Sequence, residues 1–301
     1  MTKTKYIFSL LVSILLCLSS QAGIHHYAEQ SILNDGNWVK IRVGATGVCR
    51  MSFSELSQAG LNPQQLRVFG FGGAQLEQDF TKAKIDDLPQ VPVYIGDGYV
   101  LFWVHGPYSW QYSGSRFAHT RNTYSNYGYY FLTDNTGEMM VMPYAEEISG
   151  TPTDVYTYMN YQVHESDSIN LVDKEGKSGG GKHFYGETFS ANEQMVFSFN
   201  TPNAIEGETS NVYIDVAAYS SYISVFTATI NNSTKQNVSI APYGTDHFVR
   251  ANVGVLNMRG AVAAQKQEVA LTLQSSSINT TGWLNYIEIT TPCSLQMHGS
   301  W

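Results

Sequence analysis

GNWVKIRVGATGVCRMSFSEL, residues 36–56, sets the reading of the whole chain. Trp38, Lys40 and Arg42 alternate with Val39, Ile41 and Val43, the period of two that a half-buried strand shows. Gly44-Ala45-Thr46-Gly47 then turns the chain into a second short run, residues 48–51, as in a hairpin whose glycines supply positive φ. Ser52-Phe53-Ser54-Glu55 follows as a capping box, in which Ser52 accepts from the third helical amide while Glu55 reaches back. The helix so started is short, because Gly60 follows Ala59 and Pro63 stands just beyond. This is a β pattern punctuated by one helix.

The same rhythm runs outward in both directions. Residues 66–71 read as a strand, with Gly70, Gly72 and Gly73 marking a bend or bulge. Residues 91–104 read as a second hairpin around Gly96-Asp97-Gly98, and residues 127–133 as an aromatic strand with 139–142 as its partner. Residues 24–144 therefore form one N-terminal β domain. Residues 145–181 change composition: 153–164 alternate in places (Val155, Tyr161, Val163), which allows a strand, and the polar run from Glu165 ends in Ser178-Gly179-Gly180-Gly181, so the stretch reads as a linker or loop region with the first protease cut near 174–182. Residues 182–291 return to short strands separated by Asn, Ser, Gly and Thr clusters, the pattern of a jelly-roll or immunoglobulin-like β-sandwich, and 292–301 form a tail. The fold class is all-β. Trp38, Ile41, Val43, Val68, Val93, Leu101 and Trp103 are expected in the first core, and Val212, Ile214, Val216, Phe226, Val269, Leu271 and Ile287 in the second.

Residues 1–22 have the form of a secretory signal peptide. Lys3 and Lys5 precede an apolar run over 7–18, and Ser20-Gln21-Ala22 places small residues where a signal peptidase reads. That run is too short for the roughly 20 residues that span a bilayer, so no transmembrane segment is expected in the mature chain. Removing Lys3 and Lys5 from 17 basic side chains leaves 15 against 25 acidic ones, a balance of −10 that excludes nucleic acid as a natural partner. Cys49 and Cys293 remain after cleavage. In an exported protein they could pair as a disulfide, or each could serve as a small buried hydrophobe.

Catalytic signatures do not emerge. The eight histidines, His25, His26, His105, His119, His164, His183, His247 and His298, show no HExxH or other paired metal spacing, and no CxxC occurs, so no metal or cofactor is expected. Gly106-Pro107-Tyr108-Ser109-Trp110 lacks the second glycine of a nucleophile elbow. Neither cysteine has a sequence context that would lower its pKa. Aromatic residues crowd 103–131. Their first use is cross-strand packing, and the functional alternative is a groove for a glycan or extended peptide, built by Trp110, Tyr112 and Tyr127 with Arg116 and Arg121 as polar anchors.

The blocks at 36–56, LRVFGFGGAQL (66–76), DDLPQVPVYIGDGYVLFWVHGPYSW (86–110) and HTRNTYSNYGYYFLTD (119–134), with GKHFYGETF (181–189) and GWLNYIEI (282–289), resemble the N-terminal β region of the PorU family. These are gingipain-type cysteine peptidases that act as sortases of the bacterial type IX secretion system. The resemblance implies a non-catalytic scaffold that, in a complete relative, precedes a Cys/His peptidase domain cleaving C-terminal sorting signals and attaching cargo to the cell surface. No catalytic-domain motif of that family precedes Trp301, so the sequence reads as truncated before that domain, or as a short paralogue, with no enzymatic activity of its own. The implied location is the periplasm, outer membrane or cell surface. The implied partners are other type IX components or cargo sorting-signal peptides. The alternative reading is an independent secreted β-sandwich that binds a glycan or an extended peptide.

Overall fold

The computed structural model describes residues 27–79, 81–112, 116–145, 150–151, 153–171, 183–244 and 251–296. The leader at 1–22, His25, His26, His247, His298 and the expected protease site at 174–182 lie outside them. The chain divides into two compact units, Met1–Tyr108 with Tyr124–Ala145, and Ser109–Thr123 with Glu146–Trp301. Among the described residues no helix is long and apolar enough to cross a membrane.

The first unit begins with β1 (Val39–Val43) and β2 (Gly47–Ser52), then α1 (Phe53–Gln58). The capping box forms as its sequence requires: the Glu55 amide donates to Ser52 Oγ at 3.2 Å, and the Ser52 amide donates to Glu55 Oε2 at 2.7 Å. Next come β3 (Arg67–Gly72), β4 (Gln90–Val91), β5 (Val93–Ile95) and β6 (Tyr99–Val104). The hairpin of β7 (Tyr108–Tyr112) and β8 (Phe117–Arg121) falls almost wholly in the second unit, and β9 (Gly128–Thr133) returns to the first. Two sheets, ordered β1-β9-β3-β4 and β2-β6-β5, share one core of Leu56, Leu66, Val68, Val93, Val100, Phe102 and Leu132. The register of β3 slips between Phe69 and Gly72, where Gly70 and Gly72 hold positive φ, so the bulge read from the glycines is present.

Three expectations for this unit need correction. Trp38 is half-buried outside the core cluster and packs edge-on against Phe69 at 5.4 Å, while Val39, Ile41 and Val43 take the inner face. In β6 the inward residues are Val100, Phe102 and Val104, whereas Leu101 is only half-buried and Trp103 is 54% exposed. All six residues of YVLFWV are apolar or aromatic, so alternation carries no polar mark to say which face is in. Residues 139–142 do not pair with β9. The amide of Val93 donates to Met140 O at 2.9 Å and that of Met142 to Val93 O at 2.8 Å, making one parallel bridge beside β5.

The second unit holds β10 (Thr157–Glu165), β11 (Ile169–Asn170), β12 (Phe184–Tyr185), β13 (Thr188–Ser190), β14 (Gln194–Asn200), β15 (Thr209–Tyr219), β16 (Ser224–Ile230), β17 (Thr234–Ile240), β18 (Asn252–Val262), β19 (Lys266–Gln274) and β20 (Thr281–Ser294). They form a β-sandwich. One sheet runs β10-β20-β15-β18 with β13 also on β20, and the other runs β14-β19-β16-β17. The seven expected residues, Val212, Ile214, Val216, Phe226, Val269, Leu271 and Ile287, are all at 0–1% exposure in the core between them. Gly282 lies in the same layer, where a Cβ would stand 2.6 Å from Phe226 Cζ and 2.8 Å from Leu273 Cδ2. The linker expected over 145–181 is corrected in part: residues 157–165 are β10, paired along its whole length with β20, and β20 itself runs to Ser294, into the expected tail.

Of the two readings open for the cysteines, the structure shows both thiols free. Cys49, opposite Phe102, packs on the core of the first unit, while Cys293 is buried in β20 of the second. Each behaves as a small apolar side chain.

Candidate functional site

A bulge in β20 sets the candidate site of the second unit. Asp215 of β15 faces Tyr286 and Val216 faces Leu284, so Asn285 is the extra residue. Strict alternation would put Leu284 on the opposite face from Ile287 and Ile289. The extra residue brings all three into the core and turns Tyr286 and Glu288 to the outer face. Glu288 stands there between Val163 of β10 and Tyr213 of β15, and Tyr286 between Glu165 and Asp215.

The β7–β8 hairpin covers this outer face with two kinds of contact. Its aromatic side packs on β10: Phe117 stacks on Tyr161 with ring centroids 4.7 Å apart, and Trp110 approaches the same tyrosine at 4.6 Å. Its polar side meets carboxylates. Arg116 pairs with Glu288 Oε2 while its guanidinium lies 3.5 Å from the centroid of the Tyr213 ring. His119 Nδ1 is 2.6 Å from Glu288 Oε1, and the His119 amide donates to the same oxygen at 2.9 Å. The other ring nitrogen is 3.5 Å from Glu165 Oε2, an ion contact without good hydrogen-bond geometry. Arg121 reaches Asp167 at 3.2 Å and Glu165 at 3.6 Å. The His119, Glu165 and Glu288 side chains are buried.

Charge explains the arrangement. Burial works against a proton on His119, yet its contacts with Glu165 and Glu288, charge from both and hydrogen bonding to Glu288, outweigh it and raise the pKa to about 9. Three cations, Arg116, His119 and Arg121, then face three carboxylates, Glu165, Asp167 and Glu288. Burial, with the charge of Glu165 beside it, raises the Asp167 carboxyl to about 6 against the pull of Arg121 and His119. Burial also pushes the Tyr286 phenol well above its ordinary value. A cavity of about 180 Å³ opens beside the network between Glu165, Asp167, His183 and Tyr286. Among the described residues no group of three His, Cys, Asp or Glu side chains is placed to hold a metal ion.

Four of the five expected binding residues therefore sit on one hairpin, and their roles are divided. Trp110 packs, and Arg116 and Arg121 are engaged with this unit's own carboxylates. Tyr112 is 62% exposed beside Phe117 at 5.1 Å. Tyr127 belongs to the first unit, where the Arg42 guanidinium lies 4.7 Å from its ring centroid. Sequence reasoning missed Glu165, Asp167, Tyr286 and Glu288. One signal was present, a single carboxylate inside the apolar strand LNYIEI, where an unpaired charge would be costly.

Neither thiol is poised for chemistry. Burial, and then Glu55, raise the pKa of Cys49, and burial raises that of Cys293 against hydrogen bonds from its neighbours.

A two-unit all-β chain, with a sandwich whose outer face is clasped by a hairpin, is thus the class of protein defined here. Its particular likeness is to PorU. In the structure of dimeric latent PorU from Porphyromonas gingivalis, the match covers 93% of this chain at a TM-score of 0.77 and 26% identity. The chain carries a PorU-like region and spans 26% of the length of that PorU chain. Carbohydrate-binding modules also match: a CBM36 module in complex with calcium and xylotriose, at 16% identity over 45% of this chain and 99% of that one, and the CBM35 of Cellvibrio japonicus Abf62, at 11% over 47% and 99%. Both have TM-scores of 0.27. No family model and no curated protein sequence matches the chain.

Proposed function

We propose that this chain is the non-catalytic N-terminal portion of a PorU-like type IX secretion sortase and serves as a scaffold or docking region. The observation that carries the reading is the superposition of 93% of the chain on PorU at a TM-score of 0.77. The chemistry supports docking over cleavage. Cys293 is buried, both thiols have raised pKa values, and among the described residues neither is hydrogen-bonded to an imidazole that could act as its base. The leader-like segment 1–22 supports export, with work in the periplasm, at the outer membrane or at the cell surface. The partners are other type IX components or cargo sorting-signal peptides. In a full-length relative the peptidase would cleave those signals and attach the cargo to the surface.

The alternative, an independent glycan or peptide module, loses its expected anchors, because Arg116 and Arg121 are held by Glu288, Glu165 and Asp167. The test is a titration of the purified mature chain against synthetic sorting-signal peptides and against a separately purified PorU peptidase domain. Saturable binding to at least one is expected. Flat titrations against both would remove the docking reading.

A further inference from the structure

The first unit has a surface that its own packing does not use. β1 lies at the end of the sheet ordered β1-β9-β3-β4, and among the described residues no strand pairs with its other side. A strand edge leaves a row of backbone N–H and C=O groups directed away from its sheet. Lys40 and Arg42 both point to the face that carries Phe131 and Tyr129 of β9, and both are exposed. Lys40 Nζ lies 4.1 Å from the centroid of the Tyr129 ring, and the Arg42 guanidinium lies 4.7 Å from that of Tyr127. Neither residue takes part in an ion pair among the described residues. The rows across the sheet from these two residues, Phe131, Phe69 and Gln90 for Lys40 and Tyr129 and Gly72 for Arg42, hold no carboxylate. Two cations held over aromatic rings, on the edge of a sheet in a protein with 25 acidic against 17 basic side chains, form a local reversal of charge.

We propose that the open edge of β1 takes up an extended acidic peptide segment of a partner protein as an added strand, with carboxylates at alternate positions meeting Lys40 and Arg42. The spacing fits. Residues two apart in a strand stand about 6.8 Å apart on one face, and an added strand has the same repeat, so a Glu or Asp at every second position meets both cations. Backbone pairing supplies affinity, and the charges select an acidic strand over a neutral or basic one. A polyanion without a peptide backbone satisfies the charges but not the edge. The inference deepens the docking reading by giving the chemistry of one partner.

Calorimetric titration of the mature chain at low salt tests it, with a short peptide alternating Glu with Thr or Val as the probe. Counterparts with Gln or Lys in place of Glu, an N-methylated acidic form, and a sulfated oligosaccharide of matched charge are run beside it. Binding is expected for the acidic peptide alone, with slowed hydrogen exchange of β1 amides. Combining Lys40→Gln with Arg42→Gln should weaken it roughly two- to thirtyfold, the product of two exposed ion pairs. Lys40→Glu with Arg42→Glu should shift preference to the Lys peptide, a reversal that misfolding cannot mimic. Equal binding of the Gln peptide, the N-methylated peptide or the oligosaccharide would overturn the proposal, as would no binding of the acidic peptide. If sorting signals or the peptidase domain still bind in that last case, the docking reading stands and only this edge is lost.

Discussion

Because burial alone would strip His119 of its proton, a pKa raised to about 9 reflects what Glu165 and Glu288 supply. The sign of its pH effect follows. Its folded pKa lies above the unfolded value of 6.5, so its contribution is fully present below about pH 6.5 and is lost as pH rises through about 9. The difference amounts to something on the order of 3 kcal/mol. Asp167 adds a smaller effect of the same sign at lower pH, present below its ordinary value of 3.8 and lost as pH rises through about 6. The imidazole resonances of His119 should titrate near pH 9, and the thermal midpoint of the second unit should fall between pH 7 and 10. In His119→Gln that fall should flatten; an unchanged pH profile would show that the imidazole is not protonated in the fold. His119→Ala should cost about 3–5 kcal/mol in denaturant unfolding, since it leaves two buried carboxylates short of a cation.

Strands and turns were legible in the sequence wherever polar residues mark the outer face. In β15, Val212, Ile214 and Val216 alternate with Tyr213 and Asp215, so both the strand and its inner face could be read. Val216→Asp should cost several kcal/mol or keep the new carboxyl protonated, readable as loss of the cooperative transition of the sandwich. The β16–β17 hairpin was equally legible. Asn231 and Asn232 both hold positive φ, and the Ser233 amide donates to Ile230 O at 3.0 Å, so the paired asparagines make the left-handed turn that a two-strand twist favours. Asn232→Val should lower stability by about 1–2 kcal/mol and Asn232→Gly should not, measured by urea denaturation. Elsewhere the local signal ran out. YVLFWV has no polar residue to set the phase of β6. The bulge at Asn285 turns the phase of β20 halfway along, and only pairing with β15 reveals it. β10 was legible only in part: the alternation of Val155, Tyr161 and Val163 allowed a strand over 153–164, but its partner, β20, lies more than a hundred residues away and no local pattern names it.

At the scale of the molecule the main surprise is connectivity. Residues 109–123 read as part of the N-terminal domain by position, yet they fold onto the sandwich, because their aromatic and cationic side chains find Tyr161, Glu165 and Glu288 there. The candidate site was thus half legible: Trp110, Arg116 and Arg121 could be picked out, but the carboxylates that answer them come from β10 and β20, which no local pattern connects to the hairpin. The same pairing engages both arginines with carboxylates of their own unit. On the proposed function, this PorU-like region binds without cutting. The direct measurement is incubation of the mature chain with a fluorescent sorting-signal peptide, following anisotropy for binding and mass spectrometry for cleavage. The account predicts a saturable rise in anisotropy with the peptide intact. Cleavage that disappears on Cys49→Ala or Cys293→Ala would contradict it.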